Sequence, residues 1–188
     1  MKKIILIITM LLGFSAEVSA QLYPGDMYVK AGVGSVETHS QEASLLAALT
    51  FGYTLVDNLA IEATYIDFGS VETGQSFTLS DAPPPPYEVE EVSVDATAFN
   101  VSMVAAVPLS DTFSLYGRYG ILLWDAEEKM QTNYAGTTTE SDDGSSKNYG
   151  VGFMIVLNDH FIVTFSRDQH KMIGYDFKNL QFGFQWRL

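Results

Sequence analysis

From residue 27 onward, apolar and polar residues alternate one by one in a series of short runs, and the last run is the clearest. Leu180, Phe182, Phe184, Trp186 and Leu188 are interleaved with Gln181, Gly183, Gln185 and Arg187. A period of two belongs to an extended strand, which places the bulky groups on one face and the polar ones on the other. The same pattern runs through Met27–Ser35, Leu45–Tyr53, Leu59–Tyr65, Phe99–Val107, Phe113–Leu123, Tyr149–Leu157 and Phe161–Ser166. Tight turns are expected at Val56-Asp57-Asn58, at Pro108–Asp111 and at Asn158-Asp159-His160, where turn-forming residues interrupt the alternation. The other connections read as longer polar links. They include Gly69–Ser93, with Pro83 to Pro86 in a row, the acidic stretch Asp125–Lys147, and a polar link passing His170. Consecutive prolines cannot donate to a ladder, so the first of these is expected to leave the sheet.

These runs predict eight strands whose connections are alternately short and long. No helical run interrupts them to cover their apolar faces, and the natural cover is lipid. In hydrocarbon every backbone N–H and C=O must be paired within the protein, which strands achieve only in a closed barrel. The predicted fold is all-β, an eight-stranded antiparallel up-and-down transmembrane β-barrel. Short turns would face the periplasm and long links the exterior. Tyr28, Tyr53, Tyr65, Tyr119, Trp124, Tyr149, Tyr175 and Trp186 lie near predicted strand ends, as aromatic girdles at the two membrane interfaces would.

Ahead of the strands, Lys2 and Lys3 precede an apolar core from Ile4 to Phe14, and Val18-Ser19-Ala20 forms a small-residue site before Gln21. This predicts a secretion signal over residues 1–20, cleaved near Ala20, and a barrel domain over 21–188. Cysteine is absent, which excludes disulfide staples and thiol chemistry and suits a bacterial envelope better than a small secreted eukaryotic domain. The formal charge of −13 becomes −14 when Lys2, Lys3 and Glu17 leave with the signal. A chain this acidic repels nucleic acid.

The runs LVDNLAIEATYIDFG (55–69), VPLSDTFSLYGRYG (107–120) and LQFGFQWRL (180–188) resemble the OmpA-like transmembrane barrel family, including its opacity and attachment-type members. The resemblance implies an outer-membrane location in a Gram-negative bacterium and insertion by the barrel assembly machinery, which reads the last strand. Gly183, Trp186 and Leu188 occupy the places of that assembly signal, with Leu188 standing where the family usually has Phe. It further implies an inward Glu on the third strand, at Glu62, and an inward Arg on the fifth, at Arg118; other inward charges are replaced by Val104 and Thr164.

Lys30, Glu62, Arg118 and Arg187 are the charged residues that alternation assigns to the inner face. An isolated charge in a poorly hydrated interior is costly, and eight strands leave a lumen that side chains can fill, so these four are expected to form a mutually neutralising structural network. No catalytic, cofactor-binding or metal-binding residue is assigned. Ser166, Asp168 and His170 share a strand face and are the only arrangement with the elements of a nucleophile, an acid and a base. Alternation brings any three such residues together, however, and His39 and His170 are expected in outer links. The acidic links are expected outside the cell, where they meet an unidentified ligand or bridge to lipopolysaccharide. The function expected is that of a monomeric, non-enzymatic outer-membrane protein contributing to envelope integrity and surface recognition. Its partners are outer-membrane lipid and lipopolysaccharide, the assembly machinery and an extracellular ligand, without nucleic acid. A small pore for ions or hydrophobic solutes and a soluble lipocalin-like binding barrel are the alternatives.

Overall fold

A computed structural model describes residues 22–37, 44–72, 77–79, 87–132, 136–172 and 175–188. The expected signal segment, His39 and the proline run lie outside the described residues. Among these residues nine strands occur in chain order: β1 (Met27–Glu37), β2 (Ser44–Val56), β3 (Leu59–Glu72), β4 (Phe77–Leu79), β5 (Tyr87–Pro108), β6 (Phe113–Thr132), β7 (Gly136–Val156), β8 (Phe161–Met172) and β9 (Tyr175–Arg187). All pairings are antiparallel between chain neighbours, β3 joins β5, and β1 closes on β9, so eight strands form a complete ring. Among the described residues the three-residue β4 pairs only with β5, outside that ring.

The expected faces are the observed ones. On β9, Phe184 is 44% exposed while Gln181 is 7% exposed, and β2 alternates in the same way along its length. At mid-barrel, large apolar side chains therefore point away from the barrel and polar ones into it. This is the reverse of a lipocalin, whose apolar ligand lies inside, and it rules out that alternative. On β6 the outward apolar run from Phe113 to Leu123, at ~3.3 Å per residue and a tilt of ~40°, covers about 25 Å, the height of a hydrocarbon band. Outward rings stack there between strands: Phe153 on Phe165 with centroids 5.2 Å apart, and Phe161 on Phe184 at 5.3 Å.

Local chemistry fixes the three tight turns. Between β2 and β3, Asn58 adopts a positive φ of 61°, a region Asn tolerates better than most residues. Between β5 and β6, the Ser110 hydroxyl accepts from the Phe113 amide at 3.1 Å. Between β7 and β8, Asn158 Oδ1 accepts from the amides of His160 and Phe161, each at 3.0 Å. These side chains replace missing ladder partners, as Asn and Ser commonly do in turns.

At the opposite end the structure corrects the expectation. Strands β5, β6 and β7 run for 22, 20 and 21 residues, about twice the length needed to cross a bilayer. The acidic stretch 125–147 is largely hairpin, with Asp125 opposite Asp143 and Thr132 opposite Gly136. It stands as a blade about 20 Å above the apolar band, from its strand length and tilt. Among the described residues its β7 arm pairs with β8 only from Asn148 downward. His170 likewise belongs to β8 and is buried, rather than lying in a link. Tyr28, expected in a girdle, is 1% exposed and faces the lumen; it lies on the same strand face as Lys30, and that placement overrides its nearness to a strand end.

Candidate functional site

The barrel interior is built in three layers, each set by which residues the alternation turns inward. At the short-turn end, Leu22, Tyr28, Ala60, Val104, Ala106, Tyr116, Met154, Val156 and Ile162 form an apolar cluster. Leu22 reaches it because residues ahead of β1 bend across the mouth: the Asn58 amide donates to the Leu22 carbonyl at 3.0 Å and the Gly25 amide to the Thr54 carbonyl at 2.9 Å. At the other end, Val36, Leu46, Ile66, Phe68, Val94, Leu122, Met172 and Phe177 close around the small residues Ala48, Ala96, Ala98 and Ala126.

Between these layers lies a balanced charge network. Lys30 Nζ contacts Glu62 Oε1 at 2.7 Å, and the Tyr28 hydroxyl donates to the same oxygen at 3.0 Å. Arg118 lies 3.7 Å from Glu62 Oε2 and, through Nε, 3.3 Å from Asp168 Oδ1. The Ser166 hydroxyl donates to Asp168 Oδ2 at 2.9 Å, and the Arg118 guanidinium packs over the Tyr116 ring, 5.7 Å from its centroid. Two cations thus meet two carboxylates. Balance matters because an unmatched ion would lose its hydration with nothing to replace it.

Glycines opposite the tyrosines make room for this arrangement. A Cβ at Gly52 would collide with the Tyr28 ring, and one at Gly152 with the Tyr116 ring. Lys30, Glu62, Arg118 and Asp168 are each 6% exposed or less, so little space remains beside them for water.

Of the four charges assigned to the inner face from sequence, Lys30, Glu62 and Arg118 come together. Arg187 sits opposite Tyr28 at the short-turn end and is half-buried. Asp168 occupies the fourth place in the network. Its position two residues after Ser166 on the inward parity of β8 was the available signal, hidden because the polar residues beyond Ser166 read as a link. The assembly-signal positions fall on the seam strand: Gly183 points inward beside the Lys30 stem, Trp186 stacks outward on Phe161 at 5.9 Å, and the Leu188 amide donates to the Met27 carbonyl at 2.9 Å.

Ser166, Asp168 and His170 do line one inward face, all buried. Ser166 donates to Asp168 rather than to the histidine, whose ring packs between Phe68, at 5.0 Å, and Phe177, at 6.0 Å. Neither imidazole nitrogen has a hydrogen-bond partner among the described residues. A nucleophile needs an adjacent base to activate it, and this geometry supplies none. Among the described residues no three histidine or carboxylate side chains converge as a metal site would require.

A closed ring with a lipid-facing apolar band and a neutral, filled core defines an integral outer-membrane β-barrel. The sequence matches the outer membrane protein beta-barrel domain family over residues 6–187, and the chain belongs to that family. Its place is the outer membrane of a Gram-negative bacterium. No protein of curated function matches the sequence. Solved structures share the fold at low identity. Neisserial surface protein A superposes with a TM-score of 0.62 at 10% identity, covering 86% of this chain and 97% of its own. For OprG of Pseudomonas aeruginosa the values are 0.61, 10%, 93% and 99%. For Ail, the attachment invasion locus protein of Yersinia pestis, they are 0.54, 14%, 88% and 99%.

Proposed function

We propose that this protein is a non-conducting, non-enzymatic structural and surface component of the outer membrane, whose sealed barrel holds an acidic blade outside the cell. The observation that carries this reading is the three-layer lumen. A conducting path would have to cross two apolar clusters and separate the Lys30–Glu62 and Arg118–Asp168 pairs. The non-enzymatic part rests on the Ser166–Asp168–His170 geometry and on the inaccessibility of all three groups. The recognition part rests on the blade. Asp125, Glu127, Glu128, Glu140, Asp142 and Asp143 outnumber Lys129 and Lys147 there, and the upper outer edge of β7, which has no strand partner among the described residues, offers backbone groups to an extended partner. Such a surface suits a basic partner.

Planar-bilayer recording of the refolded protein tests the sealed lumen. Folded barrel, verified by heat-modifiable gel mobility, is expected to give no discrete current steps. Reproducible steps that scale with folded protein would instead establish the pore. The recognition part is tested separately, by binding of a basic extended peptide to the wild type and to an Asp142→Asn, Asp143→Asn variant. Equal binding by the two would remove the blade's carboxylates from it.

A further inference from the structure

Beyond residue 20 the chain has eight lysines and arginines, Lys30, Arg118, Lys129, Lys147, Arg167, Lys171, Lys178 and Arg187. Lys30 and Arg118 lie in the lumen, Arg187 is at the short-turn end, and Lys129 pairs with Asp95. The other four all point outward on β7, β8 and β9, just above the last apolar side chains of those strands. Arg167 is paired in register with Val151 on one side and Leu180 on the other, and Gln169 with Lys178. Lys171 follows on the same face of β8, and Lys147 ends the outward apolar run of β7 above Tyr149 and Val151. Among the described residues none of the four lies in an ion pair. Two carboxylates, Glu37 opposite Lys178 and Asp176 opposite Lys171, leave the sector with a positive excess. A cavity of about 350 Å³ opens here, lined by Tyr149, Gly150, Val151, Arg167, Asp168 and Gln169.

On β3, β5, β6 and upper β7 the sign is opposite. Asp67, Asp95, Asp125, Glu127 and Asp143 occupy the outward positions above the apolar band on β3, β5, β6 and upper β7. An acidic chain that collects its free cations on three adjacent strands, at the height where lipid headgroups meet acyl chains, is complementary to an anionic amphiphile.

We propose that the outward face of β7–β9 at this boundary is a docking site for an outer-leaflet lipid carrying phosphate on its headgroup. The phosphate meets Arg167, Lys147, Lys171 and Lys178, where guanidinium and ammonium donors form charge-assisted hydrogen bonds. Its acyl chains lie along Val151, Phe165, Leu180 and Phe182, all outward on the same strands. The acidic sector repels the same headgroup, so the barrel holds phosphorylated lipid on one side only. This site is independent of whether the lumen conducts.

Native mass spectrometry of the detergent-solubilised full barrel provides the test, with bis-phosphorylated lipid A and its dephosphorylated form as probes. EDTA is present throughout, to prevent divalent cations from bridging phosphate to the acidic sector. The wild type is expected to retain the phosphorylated lipid ~10-fold or more tightly than the dephosphorylated one, since each basic group near an anionic surface contributes severalfold. A K147Q/R167Q/K171Q/K178Q variant is expected to lose that preference, and D67N/D125N/D143N to keep it. Heat-modifiable mobility confirms folding. If the quadruple variant fails to fold, R167Q and a rise in salt from ~0.05 to ~0.5 M are each expected to weaken retention, because salt screens exposed charge. Equal retention of both lipids by the wild type overturns the proposal, as does undiminished preference in the quadruple variant. Capture of a heparin-type sulfated polysaccharide without retention of lipid A also overturns it, assigning the patch to a soluble polyanion.

Discussion

Removing the charge of Glu62 perturbs the lumen most directly. Its carboxylate faces Lys30 at 2.7 Å, Tyr28 at 3.0 Å and Arg118 at 3.7 Å, so Glu62→Gln leaves Lys30 and Arg118 facing Asp168 alone. Breaking a buried pair from one side costs about 3–5 kcal/mol, because the surviving ion keeps its desolvation penalty without its partner. The amide retains the shape and one acceptor, which places the expected loss near the lower end of that range. Adding Lys30→Met restores neutrality, with Arg118 and Asp168 still paired at 3.3 Å. Replacing both members of a buried pair by groups of similar volume is often close to neutral, so the double variant is expected to recover most of the loss. The assay is urea unfolding in lipid vesicles, followed by tryptophan fluorescence and gel mobility, for the wild type, both single variants and the double. A coupling energy of about 2 kcal/mol or more is expected from the cycle. Additive losses would refute the balanced-network account and show the charges to be independently solvated.

Further outcomes follow from other parts of the barrel. Gly52→Ala drives a methyl into the Tyr28 ring and is expected to cost about 1–3 kcal/mol in the same unfolding assay, as overpacking does. Phe184→Arg, mid-strand on the lipid face, is expected to cost about 2–4 kcal/mol, whereas a polar replacement of exposed Asp142 on the blade should leave unfolding unchanged. The Lys129 ammonium, with help from the Ser70 hydroxyl, holds the Asp95 carboxyl below the usual carboxylate range. A depressed folded value stabilises above the unfolded one, ~3.9, and that contribution disappears as pH falls through the folded value. Amide exchange at the upper β5–β6 ladder should therefore accelerate, relative to a D95N variant, only below about pH 4.

How much of this could be read from the chain depended on contrast between faces. Where one face meets lipid and the other a packed lumen, as along Leu180–Leu188, alternation identifies strand, register and orientation together. The upper halves of β6 and β7 have water on both faces, so sequences such as Thr137–Lys147 show no binary pattern and read as loop. The same loss of contrast hid Asp168 and His170, since the outward partners Arg167, Gln169 and Lys171 are also polar. Tyr28 illustrates a different limit: its parity with Lys30 turns the ring inward, and the room that Gly52 leaves for it there is a cross-strand fact that a list of aromatic positions does not contain.

The seam between β1 and β9 joins the first and last membrane-crossing strands through a register running from Tyr28 opposite Arg187 to Glu37 opposite Lys178. Until it forms, two rows of amides and carbonyls would face hydrocarbon, each unmet group costing several kcal/mol. A half-inserted form therefore has no stable place in the bilayer. Ring closure makes residence in the membrane an all-or-none event, decided by whichever segment is threaded last.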